Sequence, residues 1–377
     1  MRKVVLLIDS LIGGGAEKVV LNFAREFTKI GYEAHIILVK NKIDYDLRKL
    51  QVKIHYLSEN GKLHRNRFIN KIRLTSKLKR LILEIENSND LPIDLIISSS
   101  EEMDYLGKKA QLKNFFIRYR NSMVAFYESK YKKFRGFKRF RRKFKYKLYF
   151  KYVYDNQNII TVSKAMEKDI VEGMSIKPKL IKTIYNPFDF EFIRSESKKN
   201  DKDLPQEKYL IYVARFTERK NQKLLIEAYH KSNTQYPLLL MGDTYTESDQ
   251  EYLESLNNLI KKFNLSEKVI FTGFKKNPYP WIRNAELFIM SSNSEGLPLV
   301  LVEAMILNTK VISTDCPTGP SELLTGDLAK FLSPVGDSNK LARNIDIALT
   351  DYPPITEKRL QKFNSQYSVN EYLKLLK

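Results

Sequence analysis

The chain is nearly without cysteine. One residue, Cys316, among 377 excludes an internal disulfide framework and fits a reducing compartment. It sits in the apolar-flanked run VISTDCP, where a free thiol is expected to be a small buried hydrophobe. A catalytic thiol would want a histidine, and the four histidines, His35, His55, His64 and His230, form no recognisable pairing with it. Long apolar runs are missing too. None approaches the ~20 residues that a spanning helix needs. The N-terminal MRKVVLLIDSL has only the apolar run VVLLI before Asp9 interrupts it, with no small-residue cleavage site behind. No D-x-D stands at the end of an apolar strand; Asp44/Asp46 and Asp201/Asp203 lie in polar loops, so no bound divalent metal is expected and no cofactor is implied. These absences predict a soluble or peripheral protein of the cytoplasm.

What is present suits two α/β domains. A length of 377 residues exceeds one ordinary core, and 43% hydrophobic with 12% aromatic residues can fill two. The net charge of +21 calls for an anionic partner, and it is unevenly spread. Between Lys130 and Lys151 stand twelve Lys/Arg and no acid, which leaves +9 for the other 355 residues.

The pattern along the chain is strand, helix, strand. Apolar runs at 4–9, 35–39, 54–57, 94–99 and 158–163 predict strands. After the first comes GGG and a helix in which Val19, Val20, Phe23, Ala24 and Phe27 recur at helical spacing until Gly31. The grammar restarts at Tyr209: YLIYVA, a helix at 221–231, PLLLMGD, a helix at about 247–263, KVIFTG, LFIMSS, a helix at 298–307 and KVISTD. Unbroken apolar strands alternating with amphipathic helices predict parallel sheets covered on both faces. The polar stretch 198–209 is the expected linker, and 357–377 an expected terminal helix with Val369, Tyr372, Leu373 and Leu376 on one face.

Three turns carry chemistry. In DSLIGGGAEKVV, glycines permit close backbone approach and the following helix offers a positive end to an anion; a plain tight turn is the competing reading. In VARFTERKN, Arg215 follows a strand with Lys220 five residues on. A guanidinium fork and a point charge from one loop suit a diphosphate; ordinary surface charge is the alternative for Arg219 and Lys220. In LFIMSSNSEGLPLVLVEAM, Glu295 lies in a loop and Glu303 in the helix beginning near Pro298. Proline is tolerated in a first helical turn, so the Gly296 and Leu297 amides can face a phosphate while Glu303 accepts from ribose hydroxyls.

These pieces resemble retaining glycosyltransferases of family 4, of the two-Rossmann GT-B fold. The resemblance rests on NPFD at 186–189, VARFTERKN, LLLMGD, VIFTGF and Glu295 with seven residues before Glu303, joined by GGGAEKVV and ITVSKAM in the first half. It implies an α/β GT-B chain: an N-terminal acceptor domain over 1–186, a nucleotide-sugar domain over 187–355, the two facing across a cleft, and a helix over 356–377 returning to the first. It implies that Arg215 and Lys220 hold the donor diphosphate, Glu303 the ribose and Glu295 the sugar hydroxyls. Gly296 and Leu297 would assist, with Gly14 and Gly15 closing over the phosphates and Phe274 near the base. Transfer would then proceed with retention, metal-free, and without a protein nucleophile. In the stretch FFIRYRNSM (115–123), near the end of the fifth N-terminal strand, the family's usual histidine or acid is replaced; Arg118, Arg120 and Asn121 would meet an anionic acceptor.

Within 130–151 the spacing of Phe137, Phe140 and Phe144 predicts an aromatic face ringed by cations, among them Arg139 and Arg142. An anionic membrane surface is the expected partner. A helix packed on its own domain is the alternative, and nucleic acid is not expected, since no helix-turn-helix, zinc or RNP-type motif accompanies the charge. The run STDCPTGPSELL at 313–324 resembles that in bacterial hexosyl- and N-acetylhexosaminyltransferases of cell-surface glycan assembly. The expectation is therefore transfer of Gal, GalNAc or GlcNAc from a UDP-sugar to a lipid-linked, lipopolysaccharide or capsule acceptor at the inner membrane face. A sugar-nucleotide hydrolase or epimerase of this fold, or a non-catalytic basic binding protein, are the rivals.

Overall fold

The computed structural model describes residues 2–12, 14–48, 50–58, 66–88 and 91–376. Gly13 of the GGG turn and His64 lie outside the described residues. The chain divides into two compact units, Met1–Phe188 with Phe363–Lys377, and Asp189–Lys362.

The first unit holds seven parallel strands: β1 (Arg2–Ile8), β2 (Tyr32–Lys40), β3 (Val52–Ser58), β4 (Ile93–Ser98), β5 (Phe115–Tyr119), β6 (Asn158–Thr161) and β7 (Leu180–Thr183). Their order is β3-β2-β1-β4-β5-β6-β7. β1 is buried from Val4 through Ile8 and β4 from Leu95 through Ser98, as strands covered on both faces must be. The sequence pattern missed β7, whose four residues are all half-buried and carry no apolar run.

The second unit holds six parallel strands: β8 (Leu210–Val213), β9 (Leu238–Met241), β10 (Val269–Gly273), β11 (Leu287–Met290), β12 (Val311–Thr314) and β13 (Leu332–Ser333), ordered β10-β9-β8-β11-β12-β13. The two-residue β13 was also missed. The expected linker at 198–209 belongs to this unit, since the division falls at Phe188/Asp189. Its polarity is that of a pinned surface loop: Asp201 accepts from the Trp281 indole at 2.7 Å and Asp203 pairs with Lys275 at 2.8 Å.

In each sheet the winding reverses once, between β1 and β4 and between β8 and β11. Open parallel sheets bind ligands outside the carboxyl ends of strands at such switch points. The terminal helix Ser365–Leu373 completes the first unit: Tyr372 is fully buried, edge-on to Phe23 at 5.2 Å, and Ser368 donates to the Tyr185 carbonyl at 2.9 Å.

The helix Gly136–Tyr154 divides along its length. Phe137, Phe140 and Phe144 are 75%, 66% and 59% exposed, whereas Phe150, Val153 and Tyr154 are fully buried. Its last turns are core, and its first turns are a solvent-facing aromatic and cationic surface. Arg142 lies over the Phe134 ring at 4.0 Å, and Arg139 lies 5.8 Å from that of Tyr131. No helix among the described residues is long and apolar enough to cross a membrane.

Candidate active site in the second unit

The loops leaving β8 and β11 are sewn together across the switch point. Ser291 Oγ donates to the carbonyls of Lys220 and Asn221 at 3.1 and 2.9 Å, and the Asn293 amide donates to the Arg219 carbonyl at 2.8 Å. The Asn221 and Asn293 side chains meet at 2.8 Å, and beneath them the Tyr212 hydroxyl meets Ser292 Oγ at 2.8 Å. Asn221, at φ +50°, caps the helix Gln222–Lys231; asparagine tolerates that left-handed backbone better than most residues.

This stitching sets Lys220 Nζ 2.6 Å from Glu295 Oε1 and Arg219 Nη1 3.2 Å from Glu295 Oε2. The Glu295 side chain is only 7% exposed. Burial alone would lift its carboxyl, but Lys220 and Arg219 outweigh that and hold it below the usual range. The backbone of this loop is held from the other side, where Thr318 Oγ1 donates to the Glu295 carbonyl. Gly319 sits at φ +98°, and a Cβ there would stand 2.7 Å from both the Gly296 carbonyl oxygen and Pro298 Cδ. Only glycine lets these two turns approach so closely.

Gly296 and Leu297 lead into the helix Leu299–Ile306, whose N-terminus has no side-chain cap. Glu303 within it is 3% exposed and accepts from the Tyr279 hydroxyl at 3.1 Å. Arg215 stands past the end of β8, where its guanidinium pairs with Asp249 at 3.0 Å rather than with Glu295 and lies 5.5 Å from the Tyr245 ring. Gly242 makes that strand end possible, since a Cβ there would fall 2.0 Å from the Ala214 carbonyl oxygen. Phe274, 63% exposed, follows β10.

The structure thus brings Lys220 and Glu295 into contact, with Gly296 and Leu297 next in the chain and Glu303 in the helix that follows, while Arg215 is held by another carboxylate. Sequence reasoning missed four members of this neighbourhood. Arg219 stands in the loop read for a diphosphate, but with ordinary surface charge as its alternative and no role of its own; Asp249 and Tyr279 lie in segments whose local patterns give only helices, and Thr318 lies in a run noted for its resemblance without a role for that residue. Cys316 is buried and its thiol is pushed up to about 12, chiefly by burial and then by Glu295. Among the described residues no three of His, Cys, Asp and Glu are grouped to hold a metal ion.

In the first unit, Gly14 precedes the helix Gly15–Lys29, and its amide meets the Tyr45 hydroxyl at 3.2 Å. Glu17 lies beside it in the first helical turn, and burial pushes its carboxyl above the usual range. Arg118 is 2% exposed, donates to Asn186 Oδ1 and stacks on Phe23 at 5.7 Å, so it does not reach the surface. Arg120 is half-buried, within the field of Glu17 and Asp104, and Asn121 is exposed.

Comparison with known proteins places these features in one family. Residues 13–192 match Glycosyltransferase Family 4 and residues 191–366 match Glycosyl transferases group 1. The chain is 30% identical over 358 residues, covering 93% of this chain and 91% of the relative, to N-acetylgalactosamine-N,N'-diacetylbacillosaminyl-diphospho-undecaprenol 4-alpha-N-acetylgalactosaminyltransferase of Campylobacter jejuni. It is 26% identical to the capsular polysaccharide biosynthesis glycosyltransferase CapH of Staphylococcus aureus, covering 84% and 82% of the two chains. Among solved structures, HepE of Anabaena in complex with UDP and glucose superposes with a TM-score of 0.78 at 19% identity, over 100% of this chain and 99% of that one. Sucrose-phosphate synthase of Thermosynechococcus elongatus superposes at 0.77 and 19%, over 100% and 98%. Two Rossmann-like parallel sheets, the Glu295–Lys220 loop pair and these matches agree: the chain is a glycosyltransferase of family 4 with the GT-B fold.

Proposed function

We propose that this glycosyltransferase moves a hexose or N-acetylhexosamine (Gal, GalNAc or GlcNAc) from a UDP-sugar onto a lipid-linked or surface-polysaccharide acceptor, with retention and without a metal. The observation that carries it is the pair of cations, Lys220 and Arg219, held on buried Glu295 at the β8/β11 switch point. Cations fixed in advance where charge develops stabilise a departing diphosphate without reorganisation at the moment of reaction. Lys220 would pass part of its interaction from Glu295 to the diphosphate, with Arg215 approaching from the Asp249 side. Glu295 would then take sugar hydroxyls, Glu303 the ribose, and the Gly296 and Leu297 amides a phosphate oxygen.

The bond broken is between the anomeric carbon and the diphosphate oxygen. The acceptor hydroxyl adds from the same face, and its proton goes to the departing phosphate oxygen. No protein nucleophile is needed. The acceptor class is supported by the Campylobacter relative, named for a diphospho-undecaprenol glycan, and the donor by HepE, solved with UDP-glucose. The cationic, aromatic first turns of Gly136–Tyr154 suit an anionic membrane surface, and so a position on the inner face of the membrane.

The test is a panel of labelled nucleotide-sugars incubated with membrane extract and EDTA. Label from one UDP-sugar should become lipid-soluble, with the anomeric configuration of the donor kept. No UDP binding at millimolar concentration would sink the donor assignment; sugar release without any acceptor would favour a hydrolase, and loss of activity in EDTA would remove the metal-free mechanism.

A further inference from the structure

A cavity of about 440 Å³ opens within the second unit, away from the Glu295 loop. Its floor includes Met305, Ile306 and Leu360, all buried. Its rim carries three cations from separate places in the chain: Arg194 in the helix Phe190–Glu196, Lys198 just beyond it, and Arg283 in the last turn of Tyr279–Asn284. One carboxylate answers them, Glu357 at the start of Glu357–Leu360, paired with Arg194. The helix Leu299–Ile306 separates the two places: the loop at Gly296–Leu297 enters it, and Ile306 at its far end joins the cavity floor. Eight residues at 1.5 Å each span about 12 Å, so a ligand here is not the one gripped at Glu295.

We infer that this cavity is a second binding site, for a phosphoester borne on a short apolar body. The volume is that of a small-molecule site. Three cations against one acid favour a phosphate, to which an arginine fork can bind bidentately, and the apolar floor needs a non-polar group to cover it. Glu357 is the built-in competitor. Its side chain is 64% exposed and that of Arg194 37% exposed, so water screens the pair, and such pairs are weak. A phosphate can therefore displace the carboxylate.

Calorimetry with n-octyl phosphate, inorganic phosphate and n-octanol on the full chain tests this. Octyl phosphate should bind at least tenfold more tightly than either of the others. The surface double variant Lys198→Glu/Arg283→Glu, checked for an unchanged melting temperature, should weaken it at least tenfold, and Glu357→Gln should tighten it severalfold. Equal binding of octanol, or unchanged affinity in the double variant, overturns the site. Vesicles of phosphatidylcholine with phosphatidic acid then identify the source. A drop in vesicle binding on charge reversal supports a lipid phosphoester. Unchanged vesicle binding, with octyl phosphate lost, supports a soluble one.

Discussion

Two groups of cations in this molecule do opposite things. At Glu295, Lys220 and Arg219 converge on one carboxylate that is only 7% exposed, fixed by a net of backbone and hydroxyl contacts. Along the first turns of Gly136–Tyr154, many cations stand in solvent, several beside aromatic rings such as Phe134, with Lys138 at 5.2 Å and Arg142 at 4.0 Å. The first group has geometry and few charges, and the second has charge and little geometry. A fixed cluster depends on the position of each member, whereas a surface field needs only number and sign. Single substitutions should therefore be severe in the first group, and only collective ones in the second.

The comparison can be broken in four places. Replacing Lys138, Arg139, Arg141, Lys143, Lys145 and Lys147 together by Gln should cost up to about 6 kcal/mol of partition to anionic vesicles, at roughly 1 kcal/mol per cation. Cosedimentation measures it, and undiminished binding would show that the field does not hold the protein at membranes. Within the same helix, Phe150→Ala should destabilise the fold by about 3–5 kcal/mol as a large buried ring is lost. Phe140→Ala should stay within about 0.5 kcal/mol. Denaturant titration separates them, and equal losses would mean that the exposed turns are packed. Lys220→Ala should lower kcat by about 10²–10³-fold, as removal of a preorganised donor does, with Lys220→Arg retaining more; unchanged turnover would refute the diphosphate role.

The smallest expected effect concerns His35 and His55, whose rings meet at 2.9 Å between β2 and β3. Burial holds both imidazoles below their ordinary value; Glu33 pulls His35 the other way without prevailing. The unfolded chain then takes up protons that the folded chain refuses. The stability is complete above about pH 6.5 and is lost as the pH falls below it. Melting temperatures between pH 7.5 and 5.5 should decline, and His35→Asn should flatten the slope; a rise on acidification would contradict the assignment.

Much of this architecture was legible in the sequence because long apolar runs and 3.6-residue spacing report burial directly. β1 and Gly15–Lys29 are such cases. β7 and β13 were not legible because short half-buried segments carry no period. At the candidate site, Lys220 and Glu295 were singled out by residue type and order, a cation suited to a diphosphate and a carboxylate suited to sugar hydroxyls. Their ion pair was not, nor was the diversion of Arg215 to Asp249, because the partners stand 75 and 34 positions apart in the chain. Arg118 shows the converse. Its charge suggested exposure, yet its position in β5, with alternate residues on opposite faces, sets it between Phe23 and Asn186 inside the first unit.

The first unit is built from both ends of the chain, and this orders its assembly. During synthesis residues 1–188 emerge first, but Phe23 lacks its Tyr372 neighbour until the final helix is released. The second unit is encoded in between and has all its strands before the first is finished. At 5–20 residues per second, the earlier-born half waits roughly ten to forty seconds for its last element. A stop codon ahead of Ser365 would thus leave the second unit whole and the first without Tyr372, a change late in the chain felt at Phe23 near its beginning.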